Sequence, residues 1–464
     1  MKTLKTILTV NGKNSFFHSH FYHKEEKSMK TSRIFALALA LIMCLSTVAY
    51  ANDFGPVVTD DENYPVQVAI TKIFRLPFGT TTPEAEFRFE ATRISFDDDD
   101  SQATRDWMPT LNNLVLNFTA ANTAEPDENH IMHLILETGN LFDGVIFPDA
   151  GVYIYEIREI PNTNDAIDNN KPDEVLTYSP AVYTLRVYVA NTADNTGTYV
   201  RAVGAIITHP DNPGQTEGFK VDPTPGGDDE NYYHSQMIFT NDYVKTNGPD
   251  EPDEPDPINE STLHVSKTVT GDLGNRNLYF NFTMHSLNIP ILVENIPQYY
   301  RAYVVETTPG GDVVVTGEEL LNNADESQIG TDEGGLDFIN ISTTGPTTFR
   351  LKHNQRLVFV DTPVGTNYDV GEAAATGYWP SVIVTTDSVA ADALTTAQAN
   401  MPLDTGLQFV GEKLNSAAFT NNRTSVVPTG LDMDNLPFFG MVGLPLLALI
   451  GLITIKARKR AIYK

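Results

Sequence analysis

Hydrophobic and polar residues alternate along most of this chain with a period of two. The runs Val66-Gln67-Val68-Ala69-Ile70, Glu86-Phe87-Arg88-Phe89, Gly151-Val152-Tyr153-Ile154-Tyr155-Glu156-Ile157, Tyr183 to Val189 and Met237-Ile238-Phe239 all read this way. So do Leu263-His264-Val265, Tyr279 to Met284, Thr348-Phe349-Arg350-Leu351 and Arg356 to Val360. They are rich in Val, Ile, Thr, Tyr and Phe and are separated by Gly, Pro, Asn and Asp, the pattern of half-buried strands joined by turns. The chain is therefore expected to be all-β, built as sandwiches with Greek-key connections. Short helical inserts are expected only near 103–114 and 390–400.

Two apolar runs near the ends break the alternation. Lys24, Lys27, Lys30 and Arg33 precede the run 34–48, which is followed by Ala49-Tyr50-Ala51. That is the order of a secretory signal peptide, with cleavage expected after Ala51 and an uncleaved signal anchor as the alternative. Segment 1–51 is thus read as an N-terminal extension and signal peptide. At the other end, 436–455 is 20 residues without a charge, followed by Lys456, Arg458, Lys459 and Arg460. Its length suits a transmembrane helix, and the basic cluster would stay on the cytoplasmic side. The bulk of the chain is then expected outside the cell, held by its C-terminus.

The chain has a single cysteine, Cys44, inside the first apolar run. Ile42-Met43 before it do not fit a lipid-anchor site, and a mature protein without cysteine has no disulfide staples. Removing 1–51 and 430–464 takes 12 of the 31 basic and 4 of the 60 acidic residues, leaving a net charge of about −37 on 378 residues. Such a surface favours solubility and repels nucleic acid and anionic membrane. The stretch 246–258, with Pro249, Pro252, Pro255 and Pro257 among acidic residues, reads as an extended, stiff linker. It divides the chain into domains at 60–245 and 259–423.

The two halves repeat a polar pattern. Each opens on a strand with a lysine, Lys72 after Val68 and Ile70, and Lys267 after Leu263 and Val265. Each carries a late strand with a tyrosine four residues before a glutamate: Tyr155 with Glu159, and Tyr368 with Glu372. Each finishes on Phe-Thr-Asn, at Asn241 and Asn421. Strand parity puts each of these polar residues on the same face as its apolar neighbours. Buried alone, each would be costly.

Together they suggest one chemistry. Burial favours the neutral, nucleophilic amine of lysine and raises the pKa of a carboxyl, which can then polarise the carboxamide and shuttle protons. The amine attacks the asparagine, ammonia leaves, and an isopeptide bond ties the first strand to the last. The cross-links would be Lys72–Asn241 and Lys267–Asn421, promoted by Glu159 and Glu372, and each would contribute about 4–5 kcal/mol in the chain-entropy model. The bland reading of any one of these residues is an edge lysine or a strand-end asparagine; their recurrence in one order and parity weighs against it. Glu156 and Glu90 are rival carboxyls, each on the wrong face of its strand.

An enzyme is not expected. The ten histidines show no metal-ligand spacing, no Gly-x-Ser-x-Gly elbow occurs, and Asp61, the acidic run 97–100 and the linker aspartates do not match a calcium loop. Neither a cofactor nor a metal is implied.

In these features the chain resembles Gram-positive backbone (major) pilins of the FctA-like, T-antigen type. The second half carries most of the likeness: Val265-Ser266-Lys267-Thr268-Val269-Thr270-Gly271, Phe359 to Gly365, Tyr368 to Glu372 and Phe419-Thr420-Asn421. The first half shares Thr71-Lys72, Gly151 to Glu159 and Phe239 to Tyr243. The resemblance implies two tandem Ig-like, Cna-B-related β-sandwich domains. It gives the roles above to Lys72, Glu159, Asn241, Lys267, Glu372 and Asn421. It also makes 426–464 a cell-wall sorting signal, with Val426, Val427, Pro428, Thr429 and Gly430 as the sortase recognition residues and cleavage after Thr429. The implied function is a structural subunit of a covalently polymerised, sortase-assembled pilus. The alternative is a monomeric wall-anchored adhesin or a minor or basal pilin. The implied partners are a pilin-specific class C sortase, other copies of the chain, minor pilins, peptidoglycan and host surface ligands. Thr429 would be joined to a lysine of the next subunit, Lys220 being the best match and Lys245 the second. The acidic inserts near 97–100, 164–173 and 222–230 depart from the family pattern.

Overall fold

The computed structural model describes residues 57–59, 61–161, 167, 173–210, 217–226, 236–246 and 255–425. The signal-peptide segment, most of the acidic linker and the whole of 426–464, including Val426, Val427, Pro428, Thr429 and Gly430, lie outside them. Among the described residues no helix is long and apolar enough to cross a membrane.

The chain is predominantly β, in four sheets consistent with Ig-like sandwiches. Within the first half, a seven-stranded sheet runs in the order Val57–Val58, Thr198–His209, Val182–Asn191, Gly151–Ile160, Ala85–Phe96 and Val115–Phe118, with Lys220–Val221 also pairing with Thr198–His209. A four-stranded sheet, Ile131–Glu137, Thr71–Pro77, Ile238–Lys245 and Glu174–Thr177, packs against it. Aromatic rings lock the two layers: Phe74 meets Phe87 edge-on at 5.1 Å, and Phe239 lies 5.0 Å from Phe89 and 5.3 Å from Tyr183.

The second half repeats the plan with the sheet sizes exchanged. A ten-stranded sheet holds Leu263–Thr270 at its centre, between Gln355–Phe359 and Ser416–Asn422. A five-stranded sheet contains Thr347–Leu351, Phe280–Asn288 and Asn367–Glu372. Phe282 and Phe419 meet across the layers at 5.2 Å. Buried apolar residues form one cluster between Val66 and Tyr243 and another between Leu263 and Phe419.

In both halves the first and last long strands pair in parallel. Lys72 lies opposite Phe239, and Lys267 opposite Phe419. Each asparagine is two residues beyond that phenylalanine, so lysine and asparagine share a face of adjacent strands. At the end of Leu263–Thr270, Gly271 adopts φ +85°, and a side chain there would run into the backbone of Arg423 just past the last strand.

Three local expectations change. In the segment 66–70 Val66, Val68, Ala69 and Ile70 are buried and Gln67 is exposed, but the segment falls outside the regular ladder: Val68 N–H donates to the Asn140 side chain and Ile70 N–H to Thr138. Thr71–Pro77 is buried on both faces at its start, where alternation predicts one wet face. A helix is present at Gln102–Trp107, capped by Ser101, but 390–400 contains none. There, Asp387 and Ser388 turn the chain through positive φ, and Val389–Ala390 and Leu394–Thr395 fold back onto Trp379–Thr386 as short strands. The turn geometry overrides the alanine-rich composition.

Candidate functional site

Each half buries a lysine, a glutamate and an asparagine together. Lys72 and Asn241 project from neighbouring strands of the four-stranded sheet, and Glu159 reaches them from the facing sheet. Lys267 and Asn421 lie on neighbouring strands of the ten-stranded sheet, with Glu372 on the opposite layer. Lys72 is 0% exposed and Lys267 1%. The rival carboxyls stand apart: Glu90 pairs with Arg158 on the outer face, and Glu156 points away from Tyr155 and Ile157 along its strand.

The hydrogen bonding is alike in the two sites. Lys72 Nζ donates to Glu159 Oε1 at 2.8 Å, and Asn241 Nδ2 donates to the same oxygen at 2.9 Å. Lys267 Nζ donates to Glu372 Oε1 and Oε2 at 2.7 and 2.8 Å, and Asn421 Nδ2 donates to Oε1 at 2.5 Å. The carboxyl thus bridges amine and carboxamide, and in both halves it meets the carboxamide through nitrogen. Of the two roles the sequence suggested, polarising the carboxamide and shuttling protons, this geometry suits a proton moving between the amine and the leaving nitrogen.

Aromatic rings wall in each amine. Lys72 Nζ lies 4.5 Å from the Phe87 ring centre, and Lys267 Nζ 4.3 Å from that of Phe280. The effect is desolvation. Burial pulls the Lys267 amine down to about 8, although Glu372 opposes the shift. Burial also pushes the carboxyls of Glu159 and Glu372 upward, against the pull of their lysines. Both shifts favour the neutral pair, a free amine beside a protonated acid, which differs from the ion pair only by one proton's position.

A third cluster shows what burial contributes. Glu306 Oε2 accepts from Lys352 Nζ and from Gln355 Nε2, each at 2.9 Å, the same bridging pattern. Here the Lys352 side chain is 19% exposed and that of Glu306 24%. Burial is the largest single influence on the Lys352 amine and lowers its pKa, but the Glu306 hydrogen bond and the nearby Tyr279, Glu306 and Glu319 together outweigh it, and the amine sits above its ordinary range. A protonated amine is no nucleophile. No ammonia is expected to be lost at Lys352–Gln355; a tryptic digest analysed by mass spectrometry should recover both residues unmodified.

Lys220 is exposed, at the sheet edge where Lys220–Val221 pairs with Ala205 and Ile206. Lys245 ends its strand against the second half: its carbonyl accepts the Val364 N–H at 2.8 Å, and its ammonium lies 4.0 Å from Glu412. Among the described residues no group of three or more His, Cys, Asp or Glu is placed to hold a metal ion.

Residues 261–401 match a family model described as a domain of unknown function, DUF7601. No curated protein matches the chain. Among solved structures, the major pilin of Streptococcus pyogenes is similar at 18% identity, covering 77% of this chain and 99% of that one, with a TM-score of 0.28. The major pilin T3.2 of the same organism is similar at 18% identity over 78% of this chain and 100% of that one, with a TM-score of 0.26. A pilus-presented adhesin is similar at 11% identity over 77% and 100%, with a TM-score of 0.20. These superpositions are loose over the whole chain, and the functional weight falls on the two triads.

Proposed function

We propose that the protein is a cell-surface structural subunit of a covalently polymerised, sortase-assembled pilus, anchored to the cell wall, and that each half is closed by its own isopeptide bond. The observation that carries this reading is the paired geometry: two buried Lys–Glu–Asn sites in one chain, each joining a first strand to a last strand running parallel to it. In each, the neutral amine attacks the asparagine Cγ, a new Nζ–Cγ bond forms, the Cγ–Nδ2 bond breaks, and ammonia leaves with protons passed through the glutamate.

Polymerisation then rests on two residues of the mature chain. Thr429, freed by cleavage before Gly430, is the donor, and Lys220 is the acceptor on the next subunit. Lys220 fits this role because it is exposed at a sheet edge. Lys245 fits less well because its backbone and ammonium are engaged with the second half. Lys220→Ala is expected to collapse the high-molecular-mass ladder in wall extracts to a single subunit mass. An unchanged ladder would remove Lys220 from the role. A single mass already present in the unsubstituted strain would favour the monomeric adhesin instead.

A further inference from the structure

The two triads differ at the carboxamide oxygen. In the second half, Asn421 Oδ1 is buried and has no hydrogen-bond partner. In the first half, Asn241 Oδ1 accepts the backbone N–H of Ser179 at 2.8 Å. That carbonyl oxygen is where negative charge develops when an amine adds to the carboxamide carbon. We infer that the Ser179 backbone N–H is a catalytic oxyanion donor for the Lys72–Asn241 cross-link, and that the second half lacks an equivalent. The inference rests on the cross-link reading above.

The donor is built in rather than incidental. Ser179 is buried and lies between Glu174–Thr177 and Val182–Asn191, in the connection that crosses from one sheet to the other. Pro180 follows it and steers residue 179 away from the helical region, which limits the directions its N–H can take. Tyr178, just before it, packs 6.5 Å from Phe87, the ring that covers the Lys72 amine. The same N–H also lies 3.2 Å from Glu159 Oε2, so one backbone donor touches both acid and carboxamide. The Ser179 hydroxyl faces elsewhere and accepts from the Ala181 N–H.

The step balances without a co-reactant. The Lys72 amine adds to Asn241 Cγ, and the oxygen takes up negative charge against the Ser179 N–H. Glu159, protonated at the start, gives its proton to Nδ2 and takes one from the added amine, so it ends as it began. The tetrahedral species then expels ammonia and regenerates the carbonyl. A fixed donor aimed at such an oxygen accelerates acyl transfer by roughly 10²–10³-fold. In the second half, Asn421 Oδ1 must develop the same charge without a fixed partner.

The test follows both cross-links in the full chain, made as a short cell-free pulse, with timed samples digested and the two linked peptides quantified by mass. Ser179→Pro, which removes the N–H, is expected to slow the first-half bond by about 10²-fold and leave the second-half bond unchanged. If Ser179→Pro does not fold, substitution of residue 179 by its α-hydroxy acid removes the same hydrogen with little change in shape, and at least about tenfold slowing is expected. A first-half bond that forms at the unsubstituted rate with the ester in place overturns the proposal and leaves the cross-link reading intact. An unsubstituted chain that never loses ammonia overturns both.

Discussion

Asn241→Ala is expected to lower the melting temperature by about 10–20 °C and to leave the chain only one ammonia below the mass of its own unmodified sequence, where the parent loses two. The reasoning starts from the loop. Lys72 and Asn241 enclose about 170 residues, and tying such a loop restricts the unfolded chain by about 5 kcal/mol in the chain-entropy model. For a unit of this size, each kcal/mol moves the midpoint by about 2–4 °C. The substitution keeps the buried Lys72–Glu159 pair, so the loss reflects the missing bond and the two carboxamide contacts, to Glu159 and from the Ser179 N–H, rather than an orphaned charge. Scanning calorimetry of the two chains side by side measures it. A fall of only a few degrees would mean that the tie carries little of the stability. Asn421→Ala, which opens a loop of about 155 residues, is expected to act similarly.

The second large effect is kinetic. Glu159→Gln and Glu372→Gln keep the volume of the bridging group but put an amide in place of one acceptor oxygen and cannot relay a proton. Each is expected to slow its own cross-link by about 10²–10⁴-fold, the usual contribution of a positioned acid–base group. The other half should react normally, since each glutamate's hydrogen bonds stay within its own half. Mass analysis of each variant would show loss of one ammonia where the parent chain loses two. Normal loss of both in Glu159→Gln would mean that the buried carboxyl is not the proton shuttle.

Much of this site was legible in the chain because strand parity is a strong constraint. Tyr153, Tyr155, Ile157 and Glu159 fall on one face by period two, and that face is the core. The same reasoning separated Glu159 from Glu156. It worked less well at Thr71–Pro77, which is buried on both faces, so that alternation there no longer reports which side is wet. Parallel pairing of the first and last strands was not legible at all, because it joins residues far apart in sequence and leaves no local signal. The carboxyl's contact with carboxamide nitrogen was missed for a related reason: composition names the partners but not which atom faces which. Ser179 escaped notice because a backbone donor has no side-chain signature, although Ser179-Pro180 marked a constrained turn. The short strands in 390–400 were hidden by alanine-rich composition, and the positive φ of Asp387 and Ser388 was the missing clue. Lys352, Glu306 and Gln355 make a similar bridging contact at a wetter place, and there the amine is raised rather than lowered, so it is expected to stay an ordinary ion-pair partner.

The most direct measurement is the intact mass of the chain from Asn52 to Thr429. Two internal cross-links predict a mass about 34 Da below that of the unmodified sequence, one ammonia for each new amide. A mass equal to the unmodified sequence would contradict the account.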